Sequence, residues 1–165
     1  MLRRHSKRTP FEGYVSPETI ARLLREGKPG IQPPQVKHFQ FVVILVDDAN
    51  PHDVPTIIET VMGTLVRQHV AVLNIASALL VGLLGAPFPE GNSPQARLEL
   101  VAALLRDNGA RVRVAHGECD GTVGMFGGHE RWTYGAVIPG FSGVLRTLLE
   151  TAFGTAVEIS RLSNE

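Results

Sequence analysis

The 165 residues and 17.9 kDa of this chain fit one domain, and 44% apolar with 19% charged residues suffices for a full core and excludes global disorder. A formal net charge of zero excludes a nucleic-acid binder driven by bulk positive charge, although residues 1–40 hold eight Lys/Arg against three Asp/Glu and the remainder eight against thirteen. The single cysteine, Cys119, has no partner for an internal disulfide, and the longest apolar run, Ala76 to Leu84 with Gly85, Ala86 and Pro87, falls far short of a membrane span, so a cytoplasmic protein is expected.

Residues 1–10 read as a flexible basic tail, and no apolar run follows MLRRHSKR as it would in a signal peptide. Ser16 as N-cap, Pro17 at the first helical position and Glu18 beside it predict a helix whose stripe is Ile20, Leu23 and Leu24, stopped at Gly27. The prolines of Lys28 to Gln35 then mark a linker, which divides the chain into a front section of residues 1–37 and a main domain of residues 38–165. Phe39 to Val46 is a continuous Val/Ile-rich run, predicted as a buried central strand, and Asp47-Asp48-Ala49-Asn50-Pro51 ends it. Helical spacing of Ile57, Ile58, Val61, Leu65 and Val66 predicts a helix over Val54 to Arg67, followed by paired strands at Val70 to Ile75 and Leu79 to Leu84.

Ser93-Pro94 opens a second helix through Arg106, which Asn108-Gly109 ends, and the alternation of Arg111 to Ala115 predicts a half-exposed strand. The glycines between Gly117 and Gly128 fit neither dinucleotide nor P-loop spacing and are assigned to a tight hairpin. A strand at Trp132 to Ile138, a helix at Gly143 to Phe153 and a strand at Ala156 to Ser160 complete the order. Helices that link strands across a sheet predict an α/β (α+β) sandwich of the ferredoxin-like βαββαβ kind, with a mostly antiparallel sheet and its helices on one face.

Within GMFGGHERWTY, the residues Gly124, Gly127, Arg131 and Tyr134 form the pattern G-x-x-G-x-x-x-R-x-x-Y, which resembles the β-hairpin signature of class III adenylate/guanylate cyclases. The resemblance runs in order along nearly the whole chain. YVSPETIARLL looks like the helix that precedes the cyclase domain, and FVVILVDDAN like its first strand. LLVGLLGAP is similar to the strand ending in A-v-F-G-x-P, PQARLELVAALLRDNG and RVRVAHGE to the next helix and strand, and TAVEIS to the closing strand.

The resemblance implies a dimer with active sites at its interface, where two carboxylates hold two Mg²⁺ or Mn²⁺ ions on ATP or GTP. Carried over position by position, the first metal aspartate is Asp47, while Ser77-Ala78 stands where the second site's Gly-Asp belongs, and Ala78 has no oxygen to give a metal. The adenine-reading lysine falls on Asn74, and no lysine occurs after Lys37. The Gly-Asp of the helix motif becomes Ile138-Pro139, the catalytic asparagine becomes Ser142, and the catalytic arginine matches Arg146. The stretch from Asp47 to Ala78 is too short for the family's phosphate-cradling loop and helix. A catalytically inactive homology domain is therefore expected, a dimerising regulatory or interaction module in signalling with no metal or cofactor of its own, and with residual nucleotide binding in the interface cleft left open. The alternative is an active cyclase with an atypical site at Asp47 and Asp48, or half of a heterodimer contributing Ser142 and Arg146. A small-ligand sensor is a third class.

Each of these residues also has an ordinary reading. Asp47 and Asp48 suit a solvated turn into Asn50-Pro51, and Arg146 a helix surface. His116, Cys119, Asp120 and His129 are close enough in sequence to raise a metal site, but no second paired spacing supports one. Trp132 is either a core anchor or an interface residue. The basic tail reads as a solubilising terminus.

Overall fold

A computed structural model describes residues 21, 25, 33–76, 78–86, 92–128, 131–160 and 162. Of the predicted helix at Ser16 to Gly27 only Ala21 and Arg25 are described, both helical and exposed, and the basic tail, most of the linker, Ser77 and His129 lie outside the described residues. The elements run β1 (Gln35–Val46), α1 (Val54–Arg67), β2 (Ala71–Ala76), β3 (Leu79–Leu84), α2 (Pro94–Asn108), a single 3₁₀ turn (Gly109–Arg111), β4 (Val112–Gly128), β5 (Arg131–Val137), α3 (Phe141–Glu150) and β6 (Ala156–Ile159). No described helix is long and apolar enough to cross a membrane.

The sheet order is β2-β3-β1-β4-β5, with β6 on the free half of β4. All pairings are antiparallel except β4 with β6. This is the expected ferredoxin-like βαββαβ arrangement, extended by β5, α3 and β6. The apolar run at Phe39 to Ile44 is explained by position: β1 lies between β3 and β4, and its residues there are buried on both faces. It begins earlier than expected, at Gln35, because β4 offers it partners out to Val123.

Parity divides the core in two. Val42, Ile44 and Val46 pack under α1 and α2, with Ile57, Val61, Leu65, Leu100 and Leu104. Phe39, Phe41 and Val43 face the other way, toward Leu73, Val81, Met125, Tyr134 and the α3 residues Val144 and Leu148. The expectation of helices on one face is therefore corrected, since α3 covers the opposite one. Helical periodicity identifies an apolar stripe but carries no information on which side of a sheet will receive it.

α2 starts as its sequence dictates: Ser93 Oγ accepts from the Ala96 amide at 3.1 Å, and Pro94 fills the first position where no N–H is needed. α1 and α2 are joined at their C-terminal ends. Asp107 Oδ2 accepts from Thr64 Oγ1 at 2.9 Å and from Arg67 Nη2 at 3.0 Å. The Thr64 hydroxyl, then Arg106 and Arg67, hold the Asp107 carboxyl below its ordinary 3.8 against the opposing effect of burial. A carboxyl whose folded pKa is depressed stabilises the fold above its unfolded pKa and loses that contribution as pH falls through the folded value. Asp107→Asn is expected to lower the thermal midpoint at neutral pH and to flatten its decline below pH ~4, as read by thermal melts across an acid series.

The tight hairpin expected at the glycine stretch is present: Gly124, Gly127 and Gly128 of β4 pair with Gly135, Trp132 and Arg131 of β5, leaving two residues between the strands, and the glycines lie within β4 itself. A Cβ at Gly121 would stand 2.5 Å from the Val137 carbonyl oxygen and 2.8 Å from the Phe39 ring, and one at Gly117 would stand 2.9 Å from the Ile159 carbonyl and 3.1 Å from Phe41. The glycines let the two phenylalanine rings of β1 lie across β4 while β5 and β6 come in beside it.

Candidate functional site

β1 delivers Asp47 to one end of the sheet. The Asp47 amide donates to the Arg111 carbonyl and the Val46 amide to the Ala78 carbonyl, both at 2.8 Å, so the start of β3 and the approach to β4 flank this end of β1. The order of motifs had placed positions 47 and 78 in one site, and their backbones do meet. Their side chains diverge. Ala78 packs its methyl with Val46 against the α1/α2 cluster, whereas Asp47 follows the parity of Val43 and Leu45 on the other face.

The loop after β1 is held by its own polar groups. Asp47 Oδ1 accepts from the Ala49 amide at 3.0 Å, Asn50 Nδ2 donates to Asp53 Oδ2 at 2.8 Å, and the His52 amide donates to Asn50 Oδ1 at 3.3 Å. These are the side chain to backbone bonds with which Asp and Asn build turns. Asp48 is exposed.

A two-ion site needs oxygen ligands converging from two carboxylates. The residues around Asp47 do not fit one. Asp47 is engaged in its turn, Ala78 presents a methyl, and among the described residues no group of three or more His, Cys, Asp or Glu side chains could hold a metal. The His116-Cys119-Asp120 constellation does not converge either. Cys119 is buried in the cluster that faces α3, while His116 and Asp120 have the opposite parity on β4. Burial, then the charge of Asp120, pushes the Cys119 thiol up to about 12, so it is no thiolate at neutral pH.

Ser142 and Arg146 are both exposed and one helical turn apart on α3. Among the described residues no hydrogen bond or ion pair joins either to Asp47. α3 is seated by a residue the sequence did not single out. Arg113 of β4 donates through Nη1 to the carbonyls of Leu149 at 2.6 Å and Thr151 at 3.1 Å, and its guanidinium stacks 4.0 Å from the centre of the Phe153 ring. These contacts satisfy the carbonyls at the helix end and favour a cation there. They also explain why α3 ends at Glu150 and not at Phe153, whose ring is used against Arg113.

Between β2–β3 and β5–α3 lies a cleft of about 240 Å³, lined by Leu73, Val81, Ala136, Val137, Ile138 and Phe141. The six side chains that line it are all apolar, and none of them carries a charge to meet a triphosphate. Val137 on its rim is 55% exposed. Trp132 lies on β5 opposite Gly127, and its side chain is not among those described. A second residue missed from the sequence is Arg97, buried under α2. Its position on the Val101–Leu104–Asn108 stripe, at spacings of four, three and four, was the available signal.

No family model matches the sequence, and no relative among curated proteins does. Solved structures do match the fold. The adenylyl cyclase CyaB from P. aeruginosa superposes with a TM-score of 0.66 at 11% identity, over 77% of this chain and 79% of that one. The guanylate cyclase domain of RhGC from Catenaria anguillulae, solved with GTP, gives 0.60 at 9% identity over 77% and 80%. A dimeric guanylyl cyclase domain of the RhoGC fusion protein from Blastocladiella emersonii gives 0.56 at 9% over 77% and 81%. The chain thus has the fold of class III adenylyl and guanylyl cyclase catalytic domains.

Proposed function

We propose that this chain is a nucleotide cyclase homology domain without cyclase activity of its own, acting in the cytoplasm as a dimerising regulatory module. The observation that carries the reading is the meeting of Asp47 and Ala78, where one carboxylate stands hydrogen-bonded into a turn and its neighbour is a methyl group packed under helices. Removing one of two carboxylates leaves the charge of two divalent ions and a triphosphate without its clamp. The apolar cleft beside β5 supports the dimer. An open apolar cleft with an exposed valine on its rim is the type of surface that a partner covers. A second copy is the first partner we infer, and another cyclase-like domain the alternative.

Two measurements test this. Incubated with Mn²⁺ and either ATP or GTP, the purified chain should form no cyclic nucleotide, and measurable product from the chain alone overturns the inactive assignment. Sedimentation should show a dimer that Val137→Asp converts to monomer with an unchanged circular dichroism spectrum, because the substitution places a charge in the covered cleft. A wild-type chain that stays monomeric at high concentration overturns the dimer.

The exposed pair Ser142 and Arg146 favours one further reading, in which the chain lends these groups to a site whose carboxylates, Mg²⁺ or Mn²⁺ come with an intact partner domain. Arg146→Ala would then cut the rate of the mixture while leaving the complex assembled. An unchanged rate removes this reading.

A further inference from the structure

On the helix-covered face, beneath the first turns of α2, lies a row of polar side chains that neither the cleft nor the end of β1 uses. His38 and Gln40 of β1 stand opposite Asp120 and Glu118 of β4, and His116 of β4 stands beside Glu158 of β6. Arg97 reaches into this row from α2. Its Nη2 donates to Glu158 Oε1 at 2.6 Å, and its Nη1 lies 4.0 Å from Glu118 Oε2. Arg97 and His116 are each only 5% exposed. Nε and Nη1 of Arg97 and Nδ1 of His116 have no hydrogen-bond partner. A buried guanidinium is therefore bonded to Glu158, whose side chain is 60% exposed, with Glu118 at the edge of its reach and the buried imidazole of His116 in register beside Glu158.

The groups that face His116 are few. α2 presents Arg97, β6 presents Glu158, and β4 itself presents Glu118 two residues along. β1 presents Val42 directly across and Gln40 diagonally, neither of which titrates. His38 belongs to the far end of the row, 3.1 Å from Asp120 and 3.8 Å from Glu118. Burial, followed by the charge of Arg97, pushes His116 below its ordinary 6.5, and Glu158 acts in the opposite direction.

We propose that His116 is a proton-operated latch on the contact between α2 and β6, leaving Glu158 to Arg97 when neutral and taking it when charged. Two buried cations beside the carboxylate of Glu158 repel each other even though that carboxylate itself reaches solvent, and the guanidinium has Glu118 to turn to. β6 is only four residues long and pairs, among the described residues, with β4, so the Arg97–Glu158 bridge and the packing of Ala156 are what tie it to the helix layer. Val157 and Ile159 of the same strand pack against the cluster beneath α3, so release on one face is transmitted to the other. The sign follows from the depressed pKa. The neutral latch holds fully above pH 6.5 and is lost as pH falls through the lowered value that His116 has in the fold.

The test uses the full chain, with nuclear magnetic resonance titration of the His116 ring and hydrogen exchange of the Ala156–Ile159 amides. His116 should titrate below 6.5, Glu158→Gln should lower that value further, and Arg97→Gln should raise it. Exchange of the β6 amides, corrected for intrinsic chemistry, should be several-fold faster at low than at neutral pH in the wild type and insensitive to pH in His116→Gln. The two shifts at Glu158 and Arg97 read the latch without altering His116 itself. A His116 that titrates at its ordinary value, or one that neither neighbour moves, overturns the proposal, and so does pH-dependent β6 exchange that persists in His116→Gln.

Discussion

Phe41→Ala is expected to lower the unfolding free energy by about 3–5 kcal/mol, measured by denaturant titration. Phe41 is wholly buried on the central strand, between Leu83 of β3 and Gly117 of β4, and its ring lies across the glycine. Truncation removes the ring from a layer that cannot collapse onto it, because both neighbouring backbones are fixed by strand pairing. Gly117→Ala in the same background supplies a control with a defined limit. The new methyl loses its clash with the ring, yet it still meets the Ile159 carbonyl at 2.9 Å, so the two losses should add to less than their sum without cancelling.

Gly121→Ala should cost about 1–3 kcal/mol, in the manner of an overpacked core, and its damage should be confined to the β4–β5 pairing. The obstacle is the Val137 carbonyl oxygen, 2.5 Å from where the Cβ would lie, with the Phe39 ring at 2.8 Å on the same side. A backbone oxygen cannot rotate away as a side chain does, so β5 must shift, and Val137 is the rim of the apolar cleft. The variant should therefore also weaken the dimer proposed above. A Gly121→Ala protein with wild-type stability and unaltered β5 amide exchange would contradict this account of why β4 is glycine-rich.

The regular elements were legible wherever one cause dominates the local sequence. Phe39 to Val46 announces itself because burial on both faces leaves no polar position, and α2 because Ser93, Pro94 and Gly109 mark its two ends. The hairpin at the β4 glycines was legible too, but not why each glycine is needed, because composition reports only that a side chain is missing. It does not tell a turn that needs backbone freedom from a strand that needs room beneath Phe39 and Phe41. The end of α3 was overextended for a related reason, since Phe153 continues an apolar pattern while its ring serves Arg113. At the site, the order of motifs sufficed to bring positions 47 and 78 together, as the Val46–Ala78 bond shows. What it could not supply was direction, because a carboxylate's partners depend on strand parity and turn geometry. Arg97 and Arg113 went unnoticed because a charged residue within an apolar segment reads as a surface position until the opposite wall is known.

The long β4 also sets the timetable of assembly. β1 needs Val112 to Val123 for twelve of its pairings, and some 65 residues separate the end of β1 from the start of β4. At about 5–20 residues per second, a ribosome exposes the greasiest strand of the chain for roughly 3–13 s before its second neighbour exists. During that interval α1, α2 and the β2–β3 hairpin can cover one face and one edge, but the opposite edge stays open to any other extended chain. Expression yield should therefore depend on holdase chaperones and on temperature far more than the stability of the finished domain would suggest.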